Sequence, residues 1–223
     1  MISTRPSQKP SSDLRARVLA VARQTPSPSR ARVTWATRWL VLAAVVSSLA
    51  VFFALGGFQL GNRPVPYVYA TTAGWAVLAL VGFRIAFVRS RRSMLGPARQ
   101  SLVALAAGMP VALLLFSLVC CSIWPEVQLL DAPLWGYLAC FGSTSIMGTL
   151  PLVALAIARR GSDPVHPRAT GAALGAAMGV WGGTLIDLHC RCATLPHIAF
   201  SHVLPMVVLA IVGAVVAPRV LGF

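Results

Sequence analysis

Six stretches of 18 to 27 residues without any Asp, Glu, Lys or Arg constrain this chain more than any other feature. They lie between Arg38 and Arg63, Arg63 and Arg84, Arg99 and Glu126, Asp131 and Arg159, Arg168 and Asp187, and Arg191 and Arg219. Each stretch is long enough to cross a hydrocarbon core of about 30 Å as a helix. Because lipid cannot bond backbone polar groups, and the alternating short strands of a barrel are absent, the sequence predicts six transmembrane helices.

The predicted fold class is therefore all-α, a polytopic membrane bundle of six transmembrane helices preceded by a short cytoplasmic amphipathic helix. We expect a cytoplasmic arm over residues 1–38 and a transmembrane domain over residues 39–223. The predicted spans are about 39–60, 65–88, 101–124, 134–158, 169–188 and 196–218. With 57% apolar and 11% charged residues, the chain has no room for a separate soluble domain.

The basic residues are distributed asymmetrically between the predicted loops. Of the 19 Lys and Arg residues, 17 lie before the first span, in the second and fourth loops and in the tail, and 2 (Arg63 and Arg191) lie in the alternate loops. The positive-inside rule then places both termini in the cytoplasm. This topology also accounts for the net charge of +14, so we expect no direct binding of nucleic acid.

The arm contains one amphipathic segment. Residues 1–10 are too polar to bury a core and are predicted to be disordered. A helix over about residues 12–25 would begin after Ser11 or Ser12 and present Leu14, Val18, Val21 and Ala22 as one apolar stripe. A helix of about twelve residues is marginal alone in water, so the stripe needs a surface. Membrane lipids and a protein partner both remain open.

Glycines recur every four residues in the fifth predicted span. Gly171, Gly175, Gly179 and Gly183 form a face with almost no side-chain relief, which another helix can approach closely. The pattern predicts a tight helix pair within the chain, with homodimerisation through this face as the alternative.

All five cysteines fall toward the predicted extracytoplasmic side. Cys120 and Cys121 end the third span, Cys140 opens the fourth, and Cys190 and Cys192 follow the fifth. An oxidising compartment would allow a disulfide between the third and fifth loops, and the odd number leaves at least one thiol free.

Histidines lie at the same rim as these cysteines. His189, His197 and His202 are near Cys190, Cys192 and Asp187 in the sequence, so a zinc or copper ion could be bound there. The spacing matches no standard structural zinc motif, however. Metal or redox sensing, a structural disulfide and no special role all remain open.

Catalysis and transport are weakly supported. Ser143 and His202 could approach each other, but Thr144 follows the serine where rhomboid-type proteases have glycine, so we predict no enzyme. The predicted spans carry no ionisable residue near their middle, which transport pathways usually require. A small multi-pass transporter or metal-handling protein remains the alternative function.

Several short motifs occur in a characteristic order. They are Arg91-Arg92-Ser-Met-Leu-Gly, Arg159-Arg160-Gly-Ser-Asp-Pro-Val-His-Pro, the glycine-rich fifth span, Asp-Leu-His-Cys at 187–190, and Ser-His-Val-Leu-Pro at 201–205. With the arm and six spans, they resemble the negative-regulator-of-sigma-F (NrsF) family of bacterial inner-membrane anti-sigma factors. Residues 159–206 are most similar to the myxobacterial versions.

This resemblance implies a membrane-bound regulator that sequesters an extracytoplasmic-function sigma factor and releases it on an envelope, redox or metal signal. It further implies that the arm helix binds the sigma factor, through Leu14, Val18, Leu19, Val21 and Ala22. The implied sensor thiols are Cys190 and Cys192, with Cys120 and Cys121 at the same rim.

Overall fold

The computed structural model describes residues 13, 16, 20, 30–59, 61–89, 99–129, 132–160 and 166–221. These residues form helices and no strand, and six helices are long and apolar enough to cross a membrane, so the predicted all-α, six-helix fold is confirmed. The helices are α1 (Arg30–Ala54), α2 (Val65–Phe83), α3 (Arg99–Ile123), α4 (Leu134–Ala158), α5 (Pro167–His189) and α6 (Leu195–Leu221). The chain divides into two compact units, Met1–Thr37 and Arg38–Phe223.

Two groups of residues that the sequence analysis singled out lie outside the described part of the chain. The first is the predicted sigma-binding set, Leu14, Val18, Leu19, Val21 and Ala22. The second is the basic pair Arg91 and Arg92 in the loop after α2. The prediction of an amphipathic arm helix therefore stays a prediction.

Glycine and proline set the helix ends. α1 ends at Ala54, before the predicted limit at residue 60, because Gly56 and Gly57 adopt left-handed φ values of 107° and 64°. The Gly57 amide donates to the Phe52 carbonyl over 3.0 Å, which closes the last turn as in a Schellman motif. α5 begins at Pro167, whose missing N–H costs nothing in a first turn.

α5 is the central helix of the bundle. In an 18-residue window of α5, 89% of the residues are buried, compared with 22–44% in the other five helices. α5 packs against α2, α3, α4 and α6, and its small residues allow all four to come close. The outward faces of the other helices remain apolar, as shown by exposed Leu80, Leu115 and Val215. Such a surface suits lipid rather than water.

The glycine stripe of α5 packs within the chain. A methyl group on Gly171 would collide with the Gly213 carbonyl of α6, and one on Gly175 would collide with the Leu209 carbonyl. A methyl group on Gly179 would lie 2.5 Å from the Cα atom of Met206, which is also too close. Gly183 differs, because its neighbour is the Trp75 ring of α2. α5 and α6 thus approach each other closely at three of the four glycines.

A neighbouring helix bonds the carbonyl that a proline in α4 leaves without its usual donor. Pro151 has no N–H to donate to the carbonyl of Met147, four residues earlier. The Ser48 hydroxyl of α1 is shared between that oxygen, at 3.1 Å, and the Ala44 carbonyl of its own helix, at 3.0 Å. A neighbouring helix thus offers a donor to the carbonyl that the proline cannot bond.

Candidate functional site

Four potential metal ligands from three segments meet at one end of the bundle, which we call the cysteine end. Cys140 lies in α4, Cys190 follows α5, and His197 and His202 lie in the first two turns of α6. The Cys190 sulfur is 3.5 Å from the Cys140 sulfur and 3.1 Å from His197 Nε2. One donor atom from each of the four residues lies within 4.8 Å of the others. We call these residues the thiol–imidazole cluster.

A π-helical turn brings the two histidines to one face of α6. The segment Ile198–Val203 is π-helical, between an α-turn at Leu195–His197 and the regular helix from Leu204. Five residues in an α-helix rotate a side chain about 140° away, at 3.6 residues per turn. A π-turn bonds residue i to i+5 and nearly aligns those positions. His197 and His202, five apart, therefore face the same side, with ring centroids 5.4 Å apart.

The π-turn is bonded to α4. Pro205 cannot donate to the Ser201 carbonyl. The Thr144 hydroxyl of α4 is shared between that oxygen, at 3.0 Å, and the Cys140 carbonyl of its own helix, at 2.7 Å. The Ser201 hydroxyl in turn donates to the Tyr137 carbonyl over 3.0 Å. These bonds fix the start of α6 against α4, on either side of Cys140.

His202 is a buried polar residue of the cluster. It is 1% exposed, and neither ring nitrogen has a partner among the described residues. Its ring packs edge-on against Trp75 of α2, at a centroid distance of 5.9 Å. A buried polar group left unbonded costs about 1–3 kcal/mol. The position therefore favours a further ligand for the imidazole.

A buried ion pair lies next to the cluster. Arg63 Nη1 is 3.2 Å from Asp187 Oδ1, and Nη2 donates to the Asp187 carbonyl over 2.5 Å. The hydroxyls of Thr71 and Thr72 donate to Asp187 Oδ2 over 2.8 and 2.7 Å. Both carboxylate oxygens are thus bonded. Since Asp187 is three residues before Cys190, the pair also anchors the end of α5.

The remaining residues predicted at this rim have other contacts. His189 Nδ1 lies 2.9 Å from the Gly57 carbonyl, outside the cluster. The Cys192 carbonyl is 3.5 Å from the Cys190 sulfur, and the Cys121 thiol donates to the Ala193 carbonyl over 3.7 Å. Cys120 is buried near the end of α3. The five cysteines, all described, are unbridged, and the thiol next to Cys190 belongs to Cys140.

Cys140 and Arg63 were not among the sequence-predicted site residues. The predicted depth in the membrane could have identified Cys140, because this residue opens the fourth span at the same predicted level as Cys190. Charge could have identified Arg63, since it is the basic residue nearest in predicted depth to the acidic Asp187. What the sequence does not give is the rotation of each helix about its own axis.

The opposite end of the bundle carries a buried arginine. Arg159, at the end of α4, is 1% exposed, and its Nη1 donates to the Ala86 carbonyl over 2.7 Å. Ala86 lies in a second π-turn, Arg84–Arg89, that continues α2. Arg99, Arg168 and Arg219 lie at the same end. The bond from Arg159 joins the ends of α2 and α4 just before their basic loops.

A family model described as negative regulator of sigma F matches residues 19–223, which is nearly the whole chain. No curated protein and no solved structure matches the chain significantly.

Proposed function

The chain belongs to the negative regulator of sigma F family, and from this we propose that it is an anti-sigma factor that holds its sigma factor at the bacterial inner membrane. The sigma factor is of the extracytoplasmic-function class, and a signal on the far side of the membrane releases it. The observation that carries this proposal is the family match over residues 19–223, in a chain with six helices able to span a membrane.

The distribution of basic residues supports the orientation that we propose. Arg99, Arg159, Arg160 and Arg168 lie at the end of the bundle opposite the cysteines. Positively charged ends face the cytoplasm, where anionic lipids attract them. Both termini are then cytoplasmic, and the cysteine end meets the periplasm. This orientation puts the arm where a sigma factor is.

The arm supplies the binding element in this proposal. An apolar stripe on a short helix binds well in a groove of a partner protein. The proposed sigma-binding residues are the stripe residues Leu14, Val18, Val21 and Ala22, together with Leu19. Arg15 and Arg17 belong to the same segment of the sequence, and their positive charges would attract anionic lipid headgroups or an acidic rim of the groove.

The bundle can carry a signal between its ends. The thiol–imidazole cluster joins α4, the end of α5 and the start of α6, so a redox change or metal capture there alters how these helices pack. Close backbone packing between α5 and α6 resists gradual deformation, and Arg159 passes movement of α4 to the end of α2. Moving the sigma factor from mostly bound to mostly free requires about 5.5 kcal/mol.

Co-purification tests the sequestration. The tagged full-length chain is expressed with the candidate sigma factor, extracted from membranes, and the amount of sigma factor per chain is measured. Deleting residues 11–25, or changing Leu14→Ser together with Val18→Ser, should abolish capture. The matched control, Arg15→Gln with Arg17→Gln, keeps the apolar stripe and should retain most of it. Equal capture by the deleted and full-length chains, both found in the membrane fraction, would refute the proposal.

Metal handling is the second candidate function, favoured by the four clustered ligands. A transporter would change the metal content of cells, with or without the arm. A regulator requires the arm for its effect on transcription. Cellular metal content and sigma-dependent transcription, measured together on deletion of residues 11–25, separate the two functions.

A further inference from the structure

We propose that Cys140, Cys190, His197 and His202 bind a single thiophilic divalent cation of the zinc type. The inference deepens the proposed function, on which it rests only for its regulatory meaning, by naming the class of signal that the cysteine end receives. Binding itself is a property of the four side chains.

The distances suit four-coordinate binding. Bonds of 2.0–2.3 Å to nitrogen and sulfur give a tetrahedron with edges of about 3.3–3.8 Å. The sulfur–sulfur distance of 3.5 Å and the sulfur–Nε2 distance of 3.1 Å are close to these edges. The widest pair is within 4.8 Å, so closing the site requires about 1 Å of side-chain movement.

The environment of His202 is the observation that distinguishes a ligand site from a packed core. Its ring is turned into the cluster by the π-turn, it is 1% exposed, and neither nitrogen has a hydrogen-bond partner among the described residues. Coordination to a cation would satisfy one nitrogen and remove the cost of burying it unbonded. A histidine kept here only for packing gains nothing over an apolar residue.

Charge selects the oxidation state of the ion. Coordination displaces a proton from each of the two thiols, and the protons leave to solvent. Two thiolates, two neutral imidazoles and a divalent cation have zero net charge. A monovalent copper ion reaches zero net charge with one thiolate alone, which leaves the second thiol protonated. A divalent ion of the zinc or cadmium type is therefore the one that uses both thiols without excess charge.

A disulfide between Cys140 and Cys190 is the competing chemistry. It would require the sulfurs to approach from 3.5 Å to about 2.05 Å and an oxidant to take two electrons. It would also leave His202 as it is, buried and unbonded. The disulfide accounts for two residues of the cluster, whereas the metal accounts for four.

Metal uptake by the purified full-length chain tests the inference, without any sigma factor present. The protein in detergent is reduced, stripped with a chelator and titrated with Zn²⁺, and with Cd²⁺, whose thiolate charge-transfer band reports sulfur ligation. The variants are Cys140→Ser, Cys190→Ser, His197→Ala and His202→Ala. The controls are His189→Ala and Cys192→Ser, which alter the same rim outside the cluster. Protein eluting as a folded, monodisperse peak is used throughout.

One equivalent of metal should bind to the unaltered chain and to both controls. Cys140→Ser and Cys190→Ser should abolish the cadmium–thiolate band, and His197→Ala and His202→Ala should weaken zinc binding at least tenfold. Uptake unaffected by His202→Ala would overturn the ligand set. So would a reduced, folded chain that takes up no metal, or one that only forms a Cys140–Cys190 disulfide. Loss of sigma capture with intact metal uptake would refute the proposed function alone.

Discussion

The ion pair between Arg63 and Asp187 leads to a quantitative prediction for the change Asp187→Asn. The substitution keeps the shape of the side chain but removes its charge. Arg63, whose side chain is 0% exposed, then has no opposite charge at 3.2 Å. Removing one partner of a buried pair costs about 3–5 kcal/mol. We expect the free energy of unfolding to fall by that amount.

The hydroxyl donors to Asp187 give an internal check on this magnitude. Thr71→Val and Thr72→Val each remove one hydrogen bond to the carboxylate. A hydrogen bond to a charged group contributes about 1.5–3 kcal/mol. Each threonine variant should therefore lose less stability than Asp187→Asn. The order of the three stability losses tests whether charge, rather than packing, dominates this site.

Reversible denaturation in mixed micelles, followed by tryptophan fluorescence, measures these changes. The matched control is Glu126→Gln, an exposed acidic residue of the same end, which should change stability by less than about 0.5 kcal/mol. Adding Arg63→Met to Asp187→Asn removes the uncompensated charge and should restore at least about 1 kcal/mol. The reasoning is wrong if the free energy of unfolding of Asp187→Asn lies within 1 kcal/mol of that of the unaltered chain. It is also wrong if adding Arg63→Met to Asp187→Asn restores no stability.

Three further variants test the contacts that hold the bundle together. Gly175→Ala should destabilise the chain by about 1–3 kcal/mol through overpacking against α6, whereas Gly108→Ala, with open space beside it, should be neutral or stabilising in the same denaturation assay. Thr144→Val removes the shared hydroxyl donor from the Ser201 carbonyl and should cost about 0.5–1.5 kcal/mol; an unchanged midpoint would contradict that bond. Arg159→Gln should lower stability and weaken the transcriptional response to metal, while Arg160→Gln, exposed beside it, should leave both unchanged.

The six-helix fold could be predicted because it depends on length and charge alone. A stretch of 18 or more uncharged residues has few stable conformations in lipid other than a helix. The grouping of the cysteines at one end follows from the same count of residues. These are properties of position along the helix axis, which the sequence gives directly.

The residues that form the thiol–imidazole cluster could not be predicted, because the set depends on how each helix is rotated about its own axis. The sequence places Cys140, Cys190 and Cys192 at similar depths and does not say which thiols face each other. The π-turn adds a second obstacle. Read as a regular α-helix, the segment around His197 and His202 would point the two imidazoles in different directions.

The helix that lipid touches least is also the least apolar of the six, with a mean hydropathy of 1.3 in a range that reaches 2.5. During biogenesis, a translocon sorts a segment into the bilayer largely by that quantity, and one rich in glycine with an aspartate near its end partitions poorly. We therefore expect α5 to depend on packing against its neighbours, including α6 that follows it in the chain, to remain in the bilayer. The same small side chains that make it the centre of the finished protein thus make its membrane residence a property of the assembled bundle.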